Sequence, residues 1–454
     1  MALTPTRAVL LASEDDVAAV LGALPADREV SVTLSTSGEL LRQLKARNDI
    51  PFGHKIAMRP IPIGHKIIRY GYPIGIATKD IAEGEHVHSH NMRSLLSPAA
   101  KAGEEARVLR SASWVRDLVA ACLKAASAHS EVAAAMADAL TEAHLRGVET
   151  HGLRRLRPYI QRIRSGGVDA RAHPDLTRSH SLIRIDGRNG VGHYVAKCAA
   201  QAVSETARQN GIAIALVRNS NHFGFAGHYA TLIAQAGQIG IVTSNGQVCV
   251  APEGGTRSFL SNNPLAIAAP TSRPNVFLEL DLATSVTSRA NVVEAAKSRM
   301  PIPVGWAQDG EGKTTRDPKA ALDGSLLSFG GDKGFALLFA LEAITGVLSG
   351  GAYADQVSSK EASPNAPEGT AHTLIAIDLK SALGVDTYSG RLDDLISRLL
   401  ALPASADARP IRFPGQRRWA LRERRLKEGI PLTPSDFKDV IDLSRELGVS
   451  IDEE

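Results

Sequence analysis

From Ser113 onward the apolar positions fall into long helical repeats, WVRDLVAACLKAAS and EVAAAMADALTEAHLRG, whose hydrophobic residues return every three or four positions and stop at Gly147. Ser113 and Ser130 stand where N-caps are expected. Beyond them short strand-like runs alternate with helical ones: SLIRID, VAKCAAQAVSETARQ, GIAIALV, HYATLIAQAG and IGIVTS, then PLAIAAP, VFLELDLA, FALLFALEAITGVL and HTLIAIDL. This alternation predicts an α/β or α+β architecture and leaves open whether the sheet is parallel. Residues 1–97 differ in texture. They are rich in Ile, Val and Gly, and Pro51, Pro60, Pro62 and Pro73 interrupt them, a pattern of short strands and turns. Residues 98–112, PAAKAGEEARVLRSA, are small and polar and read as a linker. The expected organisation is a β domain over 1–97, a linker over 98–112 and a larger mixed domain over 113–454.

Composition narrows the class. The 454 residues are 44% hydrophobic and 22% charged, enough for a sizeable core without staples. No apolar run reaches the roughly 18–20 residues that cross a bilayer, and the N-terminus lacks the basic start and long apolar stretch of a secretory signal. A cytoplasmic protein is expected. Cys122, Cys198 and Cys249 are far apart and odd in number, which argues against a disulfide framework. A net charge of +4 is too weak to imply nucleic acid and fits small anionic substrates better. The basic run RRWALRERRLK, interrupted by Glu423, has the spacing of a solvated helix face.

No G-x-G-x-x-G lies between a strand and a helix, so any nicotinamide site here needs another design. Candidate chemistry gathers in a few stretches. EAHLRGVETHGLRRLRPYI places His151, Arg155 and Tyr159 at i, i+4 and i+8, one face of a helix, where a guanidinium fork suits a carboxylate. An amphipathic helix with surface arginines is the competing reading. NSNHFGFAGHY carries the chain from a buried strand into a helix, with His222 at the junction and His228 inside the helix, where a structural role is expected. LDLATSVTSRAN offers Asp281, Thr284 and Ser285 after a strand, and SFGGDKGF sets Lys333 at a helix start suited to phosphate, although capping explains Ser328 and Asp332 equally well.

Taken together, THG-x-x-R-x-x-x-Y, NSNHFG-x-AG-x-Y, SNNP, D-x-ATS, IP-x-GWA, DP and GG-x-KG resemble, in order, the type-2 malate/L-lactate dehydrogenase family over about Ser111–Glu454. That family also includes sulfolactate, ureidoglycolate and diketogulonate dehydrogenases and cyclic imine reductases. The resemblance implies a non-Rossmann fold with a largely antiparallel sheet and surrounding helices. It implies a homodimer that binds NAD or NADP and transfers hydride to or from a small 2-oxo or 2-hydroxy acid. By the same resemblance His222, with Asp281, is catalytic, and His151, Arg155 and Tyr159 line the substrate pocket. Ser244, Asn262, Asp281, Thr284, Ser285 and Lys333 fall in cofactor- or active-site-facing segments. Two departures bear on specificity: Asp332 before the glycine-flanked lysine, and SRMPIP without the usual glycine near Arg299. Reduction of a cyclic imine carboxylate, and an inactive dehydrogenase-fold subunit of a lyase complex, are the alternatives.

The front stretch, with IP-x-GHKIA, G-x-x-I-x-YG-x-x-IG-x-AT-x-DI and GEHVH-x-HN, resembles the SAF (β-clip) domain of altronate and galactarate dehydratases and of the sulfolactate sulfo-lyase small subunit. A strand through GEHVHSH would project His86, His88 and His90 onto one face, fit for a metal or an anion or simply facing water; His54 and His65 are weaker candidates. The large lyase domain that accompanies this module elsewhere is missing. A docking role, or association with a separate lyase subunit, is therefore expected.

Overall fold

The computed structural model describes residues 7–35, 37–69, 72–94, 107–359, 363–403 and 410–450, and all counts refer to these. The expected linker lies largely outside them. By contacts the chain separates into two compact units, the first comprising 1–105 with 402–411 and the second 106–401 with 412–454.

The first unit is built of strands, as its proline and glycine spacing predicts. β1 (Arg7–Leu10), β2 (Val17–Val20), β3 (Glu29–Leu34), β4 (Leu40–Lys45) and β5 (Lys55–Ala57) precede β6 (Lys66–Arg69), β7 (Tyr72–Ala77), β8 (His86–Val87) and β9 (Met92–Ser94). They form a six-stranded sheet in the order β4-β3-β1-β2-β5-β8 and a three-stranded sheet in the order β6-β7-β9. Alternate side chains of β1, β2 and β3 (Ala8, Leu10, Ala18, Val20, Val30, Val32) are buried together, the period-2 pattern of a half-buried strand.

The second unit opens with β10 (Val108–Arg110), α1 (Ala112–Ala125) and α2 (Ser130–Leu145). Its helices begin one or two residues ahead of the sequence expectation. Ser111, not Ser113, caps α1 by accepting the Trp114 N–H, and His129 occupies the N-cap position of α2. Ser113 spends its hydroxyl on Ser111 instead. Then come α3 (Leu156–Arg164), β11 (Asp175–Ser179), β12 (Leu182–Asp186), α4 (Gly192–Asn210), β13 (Ile212–Ser220), α5 (Ala226–Gln235), β14 (Gln238–Ser244), β15 (Leu265–Pro270) and β16 (Phe277–Leu282). A side lobe holds α6 (Arg289–Lys297), β17 (Ala307–Gln308), β18 (Thr314–Thr315), α7 (Pro318–Asp323), β19 (Ser325–Leu326) and α8 (Asp332–Glu342), which runs on into a π-helical turn, Ala343–Val347. The chain closes with β20 (Thr370–Asp378), α9 (Leu379–Ala382), α10 (Val385–Leu400), α11 (Gln416–Glu428), β21 (Ile430–Leu432) and α12 (Pro434–Glu446).

Seven strands form the central sheet in the order β11-β12-β13-β20-β14-β15-β16. Only β12 and β13 pair in parallel; every other neighbour is antiparallel. Beneath it the Ala- and Val-rich face of α4 and the apolar residues of α5 pack on β13, β20 and β14, with Trp419 of α11 closing the layer. A second core joins α1, α2, α3, β21 and α12. The parallel pair needs a crossover, supplied by α4, so β12 and β13 end on the same side of the sheet and each releases a loop there. The start of β20 lies opposite the end of β13, Thr370 against Ser220, which brings a third segment to the same place.

The basic run on α11 is a solvated face only at Arg417, Glu423, Arg424 and Lys427; its other arginines turn inward. Arg418 bonds the Glu279 and Asp281 carboxylates, Arg422 grips Glu142 with two nitrogens, and Arg425 is buried against Glu149 and the His144 carbonyl. Fork-shaped guanidinium pairing with buried acids overrides what charge spacing alone suggests.

Candidate active site

The loop between β13 and α5 is shaped by two left-handed residues, Asn219 (φ 53°) and Gly224 (φ 84°). Between them Asn221 works as a clamp. Its amide donates to Asn189 O (3.1 Å), Asn189 Oδ1 (2.9 Å) and Gly190 O (2.9 Å), and its Oδ1 accepts from Arg162 (3.2 Å) and from the Glu368 N–H (3.4 Å). The three loops are thereby locked together. Gly192, the first residue of α4, permits the approach: a Cβ there would lie 2.0 Å from Asn221 O and 2.6 Å from His222 O. Gly192→Ala must push the His222 loop aside, because the obstacles are backbone. We expect a loss of about 1–3 kcal/mol in stability, the usual cost of overpacking, with a larger fall in turnover, checked by denaturant titration and initial rates.

His222 sits at the centre. The Tyr159 hydroxyl lies 2.6 Å from its Nδ1, and the Gly224 N–H points at the same nitrogen from 3.4 Å. Burial pushes the Tyr159 phenol up, Arg155 pulling the other way, so it stays protonated at neutral pH. The phenol can donate to Nδ1 or accept from it, so the contact fixes the orientation of the ring and turns Nε2 away from Tyr159. The His151 ring stacks on His222 at 5.8 Å between centroids, and Tyr159 meets His193 edge-on at 5.0 Å. Tyr159, Arg162, Gly192, His193, Asn221, His222 and Glu368 are among the residues around one recess behind the ring. Burial pushes the His193 imidazole down to about 3, helped by His228, His151 and His372.

The spacing i, i+4, i+8 does bring His151 and Tyr159 to one place, but not along one helix. His151 ends a 3-10 turn (Glu149–His151), Arg155 ends another (Leu153–Arg155), and Tyr159 belongs to α3. The extended Gly152 (ψ −142°) separates the turns, its hydrogens packed on the His144 ring, and His144 Nε2 accepts the Leu153 N–H (3.0 Å). Arg155 donates Nε to Thr150 O (3.0 Å) and has no carboxylate partner among the described residues.

Asp281 lies near the end of β16, beside Gly227 of α5. Its carboxylate accepts from Arg418 (3.1 Å), within a buried network that also holds Glu279, Arg146, Glu142 and Arg422. Burial pushes Asp281 up while Arg418 pulls it down. Ser244 is buried at the end of β14, its hydroxyl 2.8 Å from His372 Nδ1, and His372 Nε2 reaches Ser220 Oγ at 2.8 Å. Asn262 O accepts both the N–H and the hydroxyl of Thr284 (2.9 Å each); Ser285 bridges to Ser328. That contact fixes the turn before α8, where Gly330 (φ 66°) and Gly331 (φ 61°) face open space and Lys333 is exposed in the first helical turn. His228 is buried in α5 and pushed down by burial to about 3.

Glu368, Arg162, His193 and His372 were not singled out from sequence. Glu368 precedes an apolar strand in PEGT, where an acid reads as a turn residue, and only the β13–β20 register carries it to His222.

In the first unit the strand through GEHVHSH is short: β8 ends at Val87, and His88 and Asn91 then close a turn, the His88 N–H bonding Asn91 Oδ1 (2.9 Å). The expected alternation of His86, His88 and His90 along a strand therefore fails. Their rings still gather, with His54 stacked on His88 at 4.6 Å, His86 and His90 at 5.2 Å, and His54 Nδ1 2.6 Å from His86 Nε2. Among the described residues no three His, Cys, Asp or Glu side chains are arranged to hold a metal ion. Nor is any described helix long and apolar enough to cross a membrane.

A crossover-linked mixed sheet whose strand-end loops converge on a histidine–tyrosine pair is an enzyme-like scaffold, and comparison with known proteins defines its class. Residues 111–440 match the malate/L-lactate dehydrogenase family model, and residues 6–95 match that of the altronate/galactarate dehydratase SAF domain. The chain is 35% identical over 329 residues to malate dehydrogenase of Pyrococcus abyssi, covering 70% of this chain and 89% of that one. It is 34% identical over 320 residues to L-sulfolactate dehydrogenase of Methanothermobacter thermautotrophicus, covering 70% and 91%. The solved malate dehydrogenase of Entamoeba histolytica superposes with a TM-score of 0.72 at 26% identity, covering 76% of this chain and 99% of that one. The chain belongs to the malate/L-lactate dehydrogenase family, a class of oxidoreductases, and carries a SAF domain ahead of it.

Proposed function

We propose that the second unit is an NAD(P)-dependent dehydrogenase interconverting a small 2-hydroxy acid and its 2-oxo acid, with His222 as the acid–base residue. The observation that carries this reading is the 2.6 Å contact between Tyr159 and His222 Nδ1, which orients the ring: a proton kept on Nδ1 and shared with the phenol oxygen leaves Nε2 to release and take up the substrate proton. In the reductive direction His222 donates a proton to the oxygen on which charge grows; in the oxidative direction it takes the proton back. Tyr159 fixes the ring, His151 packs along it, and Arg155, which has no carboxylate partner among the described residues, anchors the substrate carboxylate. The nicotinamide supplies the hydride when bound.

The residues near α8 suit a dinucleotide. Gly330 and Gly331 take up left-handed backbone that a side chain would strain, the α8 N-terminus offers backbone N–H groups, and Lys333 adds a cation. Asn262, Thr284 and Ser285 shape the adjoining wall. Ser244 acts from beneath through His372, and Asp281 through the arginine network, as supports of that wall.

The working form is a homodimer in the cytoplasm. In its support, Leu337, Phe339, Ile344, Val347 and Leu348 stand 36–56% exposed along α8 and its π-helical continuation, an apolar face that a second copy would cover. The SAF unit serves to dock a substrate or a separate lyase subunit. A panel of 2-oxo acids (oxaloacetate, pyruvate, sulfopyruvate, sugar-derived acids) and pyrroline-2-carboxylate, followed by NADH and NADPH absorbance on protein sized by sedimentation, tests the reading. Cofactor-dependent reduction of at least one 2-oxo acid by a dimer is expected; turnover of the imine alone would replace the substrate class.

A further inference from the structure

Proton transfer at the imidazole leaves one buried ion pair without a task. Glu368, 8% exposed at its side chain, accepts the His222 backbone N–H (3.0 Å) and the Thr370 hydroxyl (3.3 Å) on Oε2, and its Oε1 lies 3.5 Å from Arg162 Nε. Arg162 in turn donates to Gly167 O (3.0 Å), Ala366 O (3.0 Å) and Asn221 Oδ1 (3.2 Å). An N–H of the backbone needs only a carbonyl as acceptor. A buried carboxylate is a costly substitute, so its charge calls for a reason.

The neighbours of the ring give one. Facing His222 are Tyr159 from α3 and His151 from the preceding 3-10 turn, with His193 of α4 against Tyr159; Arg155 acts on the Tyr159 phenol, and Arg162 lines the same recess. Two guanidinium groups near this cluster oppose a charged imidazole. Glu368 offsets them. We infer that Glu368 is a positioning residue for His222, fixing the backbone that carries the ring and favouring the protonated ring at the moment it must donate. This rests on the acid–base reading of His222.

The test compares Glu368→Gln, which removes the charge, with Glu368→Asp, which keeps it but withdraws the carboxylate from the His222 N–H. For E368Q the acidic limb of the oxidative pH–rate profile is expected to move about 0.5–1 pH unit lower, since an opposite charge has been removed, and reductive kcat at pH 7 to fall about fivefold to tenfold. For E368D the limb stays and kcat falls about tenfold, the scale of a misplaced catalytic group. Circular dichroism and thermal melting report folding of both. A folded E368Q with an unmoved limb overturns the inference; if E368Q does not fold, E368D with wild-type kcat overturns it and a tenfold loss supports it. His222→Asn runs as the control. Should it retain turnover, the acid–base reading falls and this inference with it, whereas an inactive H222N beside an unshifted E368Q removes the role of Glu368 alone.

Discussion

His222→Asn is expected to lower kcat by about 10²–10⁴ while leaving cofactor affinity within about twofold, the range lost with a general acid–base group. Asparagine keeps a polar side chain of similar reach and cannot titrate at neutral pH. The fold should tolerate it, because the loop is held by Asn221 and by the His222 backbone N–H, neither of which depends on the imidazole. Stopped-flow or steady-state rates, with cofactor binding followed by nucleotide fluorescence, separate chemistry from binding. Rates near wild type would remove His222 from the mechanism and leave His151, stacked on it, as the next ring to test.

The second large effect is on stability in acid. Burial holds His144 down to about 4 and His193, His228 and His372 each to about 3. In the unfolded chain each returns to about 6.5 and binds a proton that the folded state refuses. The unfolded state therefore gains protons as pH falls, and stability that is complete above about 6.5 declines progressively towards the folded-state values. At pH 5.5 each histidine costs roughly 1.4 kcal/mol and the four together roughly 5.6 kcal/mol. Glu142, which Arg422 and Arg146 hold down to about 2 against the opposing effect of burial, adds to the loss only below its usual 4.5. Urea titrations at pH 7.5 and 5.5, following the second unit, should show a much lower midpoint at pH 5.5. Equal midpoints would mean that these rings take up protons without unfolding, contrary to their burial.

Helices and strands were legible because their apolar periods are set by local geometry, and the candidate stretches were legible because unusual residues cluster in them. Legibility ended where a partner came from afar. Tyr159 and His222 are 63 positions apart, and Glu368 is 146 positions from the histidine whose backbone it holds. Asp281 meets Arg418, 137 positions further on, because α11 folds back across β16.

By itself, then, the order of residues determined a strand-built front unit, a larger mixed unit, family membership and the chemistry-bearing segments, since each depends on patterns within a few turns of chain. Tertiary structure alone decided which groups meet. The parallel β12–β13 pair and the antiparallel return of β20 bring three loops to one edge, and there burial and hydrogen-bond partners, which no local pattern encodes, settle how the His222 ring is held.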